Sequence, residues 1–237
     1  IPKTASIKDI LDVVITGVSI QNKITIPEGL STISVIHRIN NDPRIKGDLI
    51  SFSEEGVLAP NTYSFDITTK KKDLFLKMRN NQKRILEAAW ENRDPELLLK
   101  NPFELLILAS MVEKEAGNEE DKKKVASVFL NRLKKKMRLQ SDPTVVYSLT
   151  KGKEPLNREL NRIDLKTKSP FNTYKIDGLP PSPICNPSKS SIHAVSNPLK
   201  TDFLFFVANG KGGHNFSKNL KQHNRFVKEY RRLKIEN

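Results

Sequence analysis

The hydrophobic pattern changes period several times along the chain. Ile7, Ile10, Leu11, Val14 and Ile15 have the spacing of one helix face, with Ser6 and Asp9 as a cap pair. Val18, Ile20, Ile24 and Ile26 then alternate as in a strand. Pro27-Glu28-Gly29 turns the chain, and Ser31 caps a helix whose apolar side is Val35, Ile36 and Ile39. Lys46 to Glu55 is polar and loop-like, which predicts a boundary between a small module, residues 1–50, and a larger domain, residues 51–237. Short strands and helices mixed in so few residues suit a binding module that does no chemistry itself.

The larger domain opens with the turn-rich Gly56 to Tyr63. A long amphipathic helix follows, Lys72 to Trp90, with Leu74, Phe75, Met78, Ile85, Leu86, Ala89 and Trp90 inward. Asp94-Pro95 predicts the start of a short helix. The next helix is bounded at both ends: Asn101 as N-cap, Pro102 in the first turn, Glu104 at the capping-box position and Gly117 as C-terminal stop. Asn118 caps another, with Glu119, Glu120 and Asp121 at its positive end, Lys134 to Lys136 at its negative end, and Val125, Val128, Phe129 and Leu133 inward. Gln140-Ser141-Asp142-Pro143 begins a short helix through Leu149, and Glu154 to Lys168 reads as an exposed connection. The proline-rich tract from Ser169 to Pro187 carries Phe171, Tyr174, Leu179 and Ile184, too apolar for a linker, so a rigid loop packed over a cleft is expected. A helix from Pro187 to Val195, a buried strand from Phe203 to Ala208, a turn at Gly210 to Gly213 and a helix from Asn219 to Leu233 complete an α+β pattern that is mainly helical.

Chemistry enters at the end of the Asn101 helix. Leu105 to Val112 is apolar on nearly every face, so this helix is packed on all sides, yet it closes in VEKEA. Glu113 and Glu115 are two apart and point to nearly opposite faces, so one can reach solvent while the other looks inward. Desolvation and the negative helix end push such a carboxyl toward its neutral form, as a general acid requires.

Composition adjusts this picture in three ways. A formal net charge of +14 implies an anionic partner, with a nucleic acid, a membrane surface or an anionic polymer as the classes. No aromatic-interleaved basic motif and no zinc-finger spacing favours nucleic acid. Four histidines, at 37, 193, 214 and 223, and one cysteine do not make a zinc site, and nothing calls for a cofactor. No apolar run approaches the roughly 20 residues that span a bilayer.

Taken in order, ASMVEKEA, VASVFLNRL, MRLQSDPTVVY, NTYKIDGLPPSPICNP and FFVANGKGGHNFS resemble the linked segments of the YceG-like family of endolytic murein transglycosylases. The resemblance runs from about Lys23 onward; Cys185 and Phe205 depart from it without touching the acidic segment. It implies a lysozyme-like, mainly helical catalytic domain with β-hairpin elements, preceded by a LysM-like module that is truncated here. It also implies an inner-membrane anchor, a single N-terminal helix absent from this chain, with this portion periplasmic.

The reaction implied is cleavage of the β-1,4 bond between N-acetylmuramic acid and N-acetylglucosamine within peptidoglycan strands, without water. The muramic acid 6-hydroxyl attacks its own anomeric carbon and leaves a 1,6-anhydro end. The motif places the acid on Glu115, and one carboxyl can serve first as acid and then as base. Asp142 is the candidate second carboxylate, though its place before Pro143 equally suits an N-cap, the preferred reading. Gln140, Asn172 and Tyr174 are expected along the glycan. His214 could titrate near neutral pH, although a hairpin histidine is more often structural. Peptidoglycan stems carry carboxylates that answer the positive charge, and the family implies coupling to peptidoglycan synthases. A lysozyme-type hydrolase and a non-enzymatic basic module binding cell wall or nucleic acid are the alternatives.

Overall fold

The computed structural model describes residues 21–236 and, before them, 6–8, 11 and 15; most of the first expected helix, and Val18 and Ile20 of the expected strand, lie outside the described residues. Among the described residues there are seven α-helices and two small antiparallel sheets. Strand β1, Asn22–Ile26, alternates because Ile24 and Ile26 point into the protein while Lys23 and Thr25 face out. Its partner is β2, Asn61–Phe65, with Ile24 opposite Tyr63. Between them runs α1, Thr32–Asn40, capped by Ser31, whose hydroxyl accepts from Ser34 N. Its face of Val35, Ile36 and Ile39 closes over the sheet together with Tyr63, Phe65, Leu74, Phe75 and Met78.

That last set corrects the domain boundary. Leu74, Phe75 and Met78 belong to α2, Lys71–Glu91, and β2 lies beyond residue 50, so a cut at 50/51 would divide one sheet and one core. The physical reason is that an isolated pair of strands is marginal in water and needs a helix against it. The far end of α2, at Ala89, enters a second core instead.

The second core is built on α3, Pro102–Glu115, in which every residue from Leu105 to Val112 is buried. Asn101 caps it by accepting from Glu104 N at 2.9 Å. Antiparallel to the expectation, its end needs no left-handed glycine: Ala116 closes the helix in extended conformation. Gly117 serves instead at a close approach, where a Cβ would lie 3.1 Å from Gly212 O. Helix α4, Glu119–Lys134, is capped by Asn118 and buries Val125, Val128 and Phe129. The short α6, Lys189–Ser196, sits in the middle, packed against α2, α3 and α4. Helix α5, Asp142–Thr150, lies on α3; β3, Phe205–Ala208, pairs with β4, His214–Ser217; and α7, Leu220–Glu236, packs on that hairpin.

Three further expectations are revised. Asp94-Pro95 makes a turn, with Asp94 accepting from Glu96 N and Leu97 N, and no helix follows. β3 begins at Phe205 and is half-buried, because a two-stranded hairpin covered by α7 keeps its rim open. The 154–168 connection is mostly exposed but contains a 3₁₀ turn, Asp164–Lys166, pinned by Arg158 on buried Asp164. The proline-rich tract is packed: Ile184 N donates to Ser110 Oγ, and Asn186 is fully buried, its side chain holding Leu30 O and Leu58 N. No helix of the described residues is long and apolar enough to cross a membrane.

Candidate active site

Glu115 is the last residue of α3, partly exposed at the end of a helix that is buried from Leu105 to Val112. The hydroxyl of Ser141 donates to its Oε1 at 2.6 Å. Burial holds the Glu115 carboxyl up at about 7, against an ordinary value of 4.5; the Ser141 bond and Arg132 pull it down, and the Asp142 charge pushes it further up. A carboxyl balanced at that point can both give and take a proton near neutrality.

Ser141 is placed by its neighbours. Its N–H donates to Thr173 Oγ1 at 2.9 Å, and Gln140 N donates to Thr173 O at 3.2 Å, with Gln140 in the left-handed region at φ 51°. Thr144 Oγ1 closes the mesh by bonding both Ser141 O and Thr173 Oγ1. Ser141 is the N-cap residue of α5 through its backbone alone, which leaves its hydroxyl for Glu115.

The expected cap role of Asp142 is therefore corrected. Asp142 stands inside the first turn, exposed, and its Oδ1 accepts from the Tyr174 hydroxyl at 2.6 Å. Tyr174 is half-buried, and burial, then Asp142, raise its phenol above the ordinary range, so it keeps its proton. Gln140 is exposed beside them, its Oε1 3.4 Å from Arg132 Nη1.

Two expected site residues are structural. Asn172 is fully buried; its amide donates to Leu165 O and Thr167 O and its Oδ1 accepts from Tyr174 N, so nothing of it is free for a ligand. Its Oδ1 helps to hold the backbone of Tyr174 in place. His214 spends Nδ1 on Asp121 Oδ2 at 3.0 Å, and its N–H donates to the same oxygen, tying the hairpin to the start of α4. Glu113 does not reach solvent either: its side chain is 7% exposed, and its Oε2 accepts from Ser188 N and Ser188 Oγ.

Two residues were missed. Arg132, 8% exposed, spends its guanidinium on Leu204 O and Leu139 O and interacts electrostatically with Glu115. The signal was present: 125, 128, 129 and 132 form one inward stripe, and an arginine on an apolar stripe asks for a reason. Ser141 was visible only as part of a cap. A groove bounded by Leu98, Leu130, Leu199 and Lys200 holds none of these side chains. Among the described residues no three His, Cys, Asp or Glu side chains converge as a metal would need.

The chain belongs to the YceG-like family, whose sequence pattern matches residues 1–229. It is 42% identical over 177 residues to the endolytic murein transglycosylase of Bacillus subtilis strain 168, covering 74% of this chain and 48% of that protein. It is 37% identical over 183 residues to the protein of the same name from Streptococcus pneumoniae strain D39, covering 76% and 33%. The chain thus spans about half the length of the first relative and a third of the second. A crystal structure of a yceG-like protein from Listeria monocytogenes superposes with a TM-score of 0.70 at 32% identity, covering 92% of this chain and 80% of that one.

Proposed function

We propose that this chain is an endolytic peptidoglycan lytic transglycosylase and that Glu115 is its acid and base. The observation that carries the reading is the Glu115 carboxyl, raised to about 7 and held by Ser141 at the end of a helix with a buried middle. In the first step its proton goes to the glycosidic oxygen, and the bond from muramic acid C1 to that oxygen breaks as positive charge develops on the ring. The Glu115 carboxylate then takes the proton of the 6-hydroxyl on the same sugar as that oxygen bonds to C1. Every atom stays in the two products, one carrying a 1,6-anhydro end, and one carboxyl suffices because the nucleophile belongs to the substrate.

The names of the relatives support this substrate and bond. The +14 net charge suits strands that bear carboxylates, and its share in binding should weaken with salt. In the same reading the helical body is lysozyme-like and the β1–α1–β2 unit is a LysM-like binding module, extending to about residue 80 rather than 50. An inner-membrane anchor preceding this portion, an extracytoplasmic location, and action beside peptidoglycan synthases in ending strand growth belong to the same proposal.

A hydrolase is the second reading, favoured by one observation: Asp142 supplies another carboxylate beside Glu115. Product masses on intact glycan strands decide between them. Anhydro ends support the transglycosylase, reducing ends carrying the elements of water support the hydrolase, and no cleavage at all leaves only a binding module.

A further inference from the structure

The dipeptide Ser141-Asp142 at the start of α5 serves two different partners. Ser141 reaches Glu115, and Asp142, one residue on, takes the Tyr174 hydroxyl at 2.6 Å. The second bond is not part of the helix cap. Asp142 is exposed and is not the helix cap. Yet the surroundings go to some length to hold it. Asn172 and Thr173, both fully buried, fix the segment that carries Tyr174, while Arg138 Nη1 holds Tyr174 O at 3.2 Å. Thr173 binds the backbone of Gln140 and Ser141 on the facing segment. Two rigid pieces thus set one carboxylate in a fixed place beside Glu115.

We infer that Asp142, oriented by Tyr174, is a positioning residue whose fixed negative charge sets when Glu115 holds its proton and how readily it recovers one. The inference rests on the proposal that Glu115 is the acid and base. Four groups act on Glu115 from the elements around it: Ser141 and Asp142 at the start of α5, Arg132 from α4, and the Tyr174 phenol from the facing segment, which also bonds Asp142. Arg132 and Ser141 favour the ionised carboxyl, and Asp142 favours the protonated one. Before bond cleavage, the Asp142 charge keeps a proton on Glu115. Once that proton has gone to the leaving oxygen, two carboxylates face each other, and their repulsion is relieved when Glu115 takes the 6-hydroxyl proton. One fixed charge therefore keeps Glu115 loaded with its proton to a higher pH before cleavage, makes it a weaker acid in the first half, and makes its carboxylate a stronger base in the second. The Tyr174 phenol, which retains its own proton, satisfies Asp142 as an anion and stops it turning to solvent.

The test is the pH dependence of anhydro-product formation by the full chain on glycan strands, with melting temperatures measured alongside. Asp142→Asn keeps an acceptor for Tyr174 and removes the charge. Its alkaline limb should move down by about one pH unit, with kcat lowered and KM little changed. Tyr174→Phe should shift the limb the same way by less, and the double variant no further than Asp142→Asn alone. If Asp142→Asn fails to fold, the Tyr174→Phe shift decides alone. An alkaline limb that stays in place overturns the inference, as does a loss carried wholly by KM, which would make Asp142 a sugar contact. Glu115→Gln, run in parallel, separates the two levels. Activity in Glu115→Gln removes the proposal beneath, whereas an inactive Glu115→Gln with an unmoved Asp142→Asn limb removes only this inference.

Discussion

At the scale of single residues, the raised Glu115 carboxyl has a thermodynamic consequence separate from catalysis. Its folded value of about 7 lies above the ordinary 4.5, so between those values the folded protein binds a proton that the unfolded chain has lost. Stability should therefore fall as pH rises from 4.5 through 7, and above that range the ionised carboxyl is a standing penalty of about 3 kcal/mol. Glu115→Gln keeps the Ser141 bond and removes the ionisation. It should lose several orders of magnitude in anhydro-product formation while unfolding at a higher temperature than the parent at pH 8, and at the same temperature near pH 4. Equal melting temperatures at pH 8 would mean the carboxyl is better solvated than its position implies. Glu113, two residues earlier, should behave in the opposite way. It accepts two bonds from Ser188 and lies 4.0 Å from buried Lys122, so Glu113→Ala should cost about 2–3 kcal/mol in urea unfolding. Its effect on turnover at low temperature should be far smaller than that of Glu115→Gln; equal losses would place both carboxyls in the chemistry.

At the scale of elements, caps were readable in advance because they are local. Asn101, Asn118 and Ser31 each cap with their own side chains, and a residue type at a helix start carries most of that information. The start of α5 differs from expectation because Ser141 and Asp142 are both good caps, and only Glu115 and Tyr174, distant in the chain, show that neither side chain is spent on the helix. Gly117 was misread for a similar reason: a glycine after a helix suggests a left-handed stop, and its contact with Gly212 is 95 residues away in the chain. The proline-rich tract was expected to pack over a cleft; it is packed, but into the protein, through Ser110, Leu30 and Leu58. Gly56 shows this most directly, with φ +86° and a Cβ position only 2.7 Å from Pro183 Cβ and Cγ. A proline ring has little freedom to retreat. Gly56→Ala should therefore destabilise by about 2–4 kcal/mol, combining left-handed strain with overpacking. A melting temperature within a degree of the parent would show that the tract can shift.

At the scale of the whole molecule, the first unit is wired into the body that carries Glu115. Gly29 N donates to Asn186 O and Asn186 N returns a bond to Leu30 O. Thr32 N donates to Glu55, which also accepts from the Tyr147 hydroxyl of α5. Lys122, 5% exposed at its side chain, stands among Glu28, Glu113 and Glu119, so a charge from the first unit helps balance the end of α3. The separable module expected from the loop at 46–55 could not reveal any of this. Its composition is that of a linker, and the pairing of β1 with β2 spans residues whose alternation at Tyr63 and Phe65 is hidden among turn-forming neighbours. The consequence is a test of modularity. Removing residues 1–50 deletes β1 and α1 and uncovers Tyr63, Phe65, Leu74, Phe75 and Met78. Ile24, Ile26, Val35, Ile36 and Ile39 go with them, and at about 2 kcal/mol for each buried side chain the loss is roughly 10 kcal/mol, the size of a whole domain's stability. A 51–237 fragment should accordingly lack a cooperative urea transition and a near-ultraviolet circular dichroism signal, and it should form no anhydro product even from short strands. Cooperative unfolding of that fragment, with Glu115-dependent cleavage retained, would restore the binding module as a separate domain.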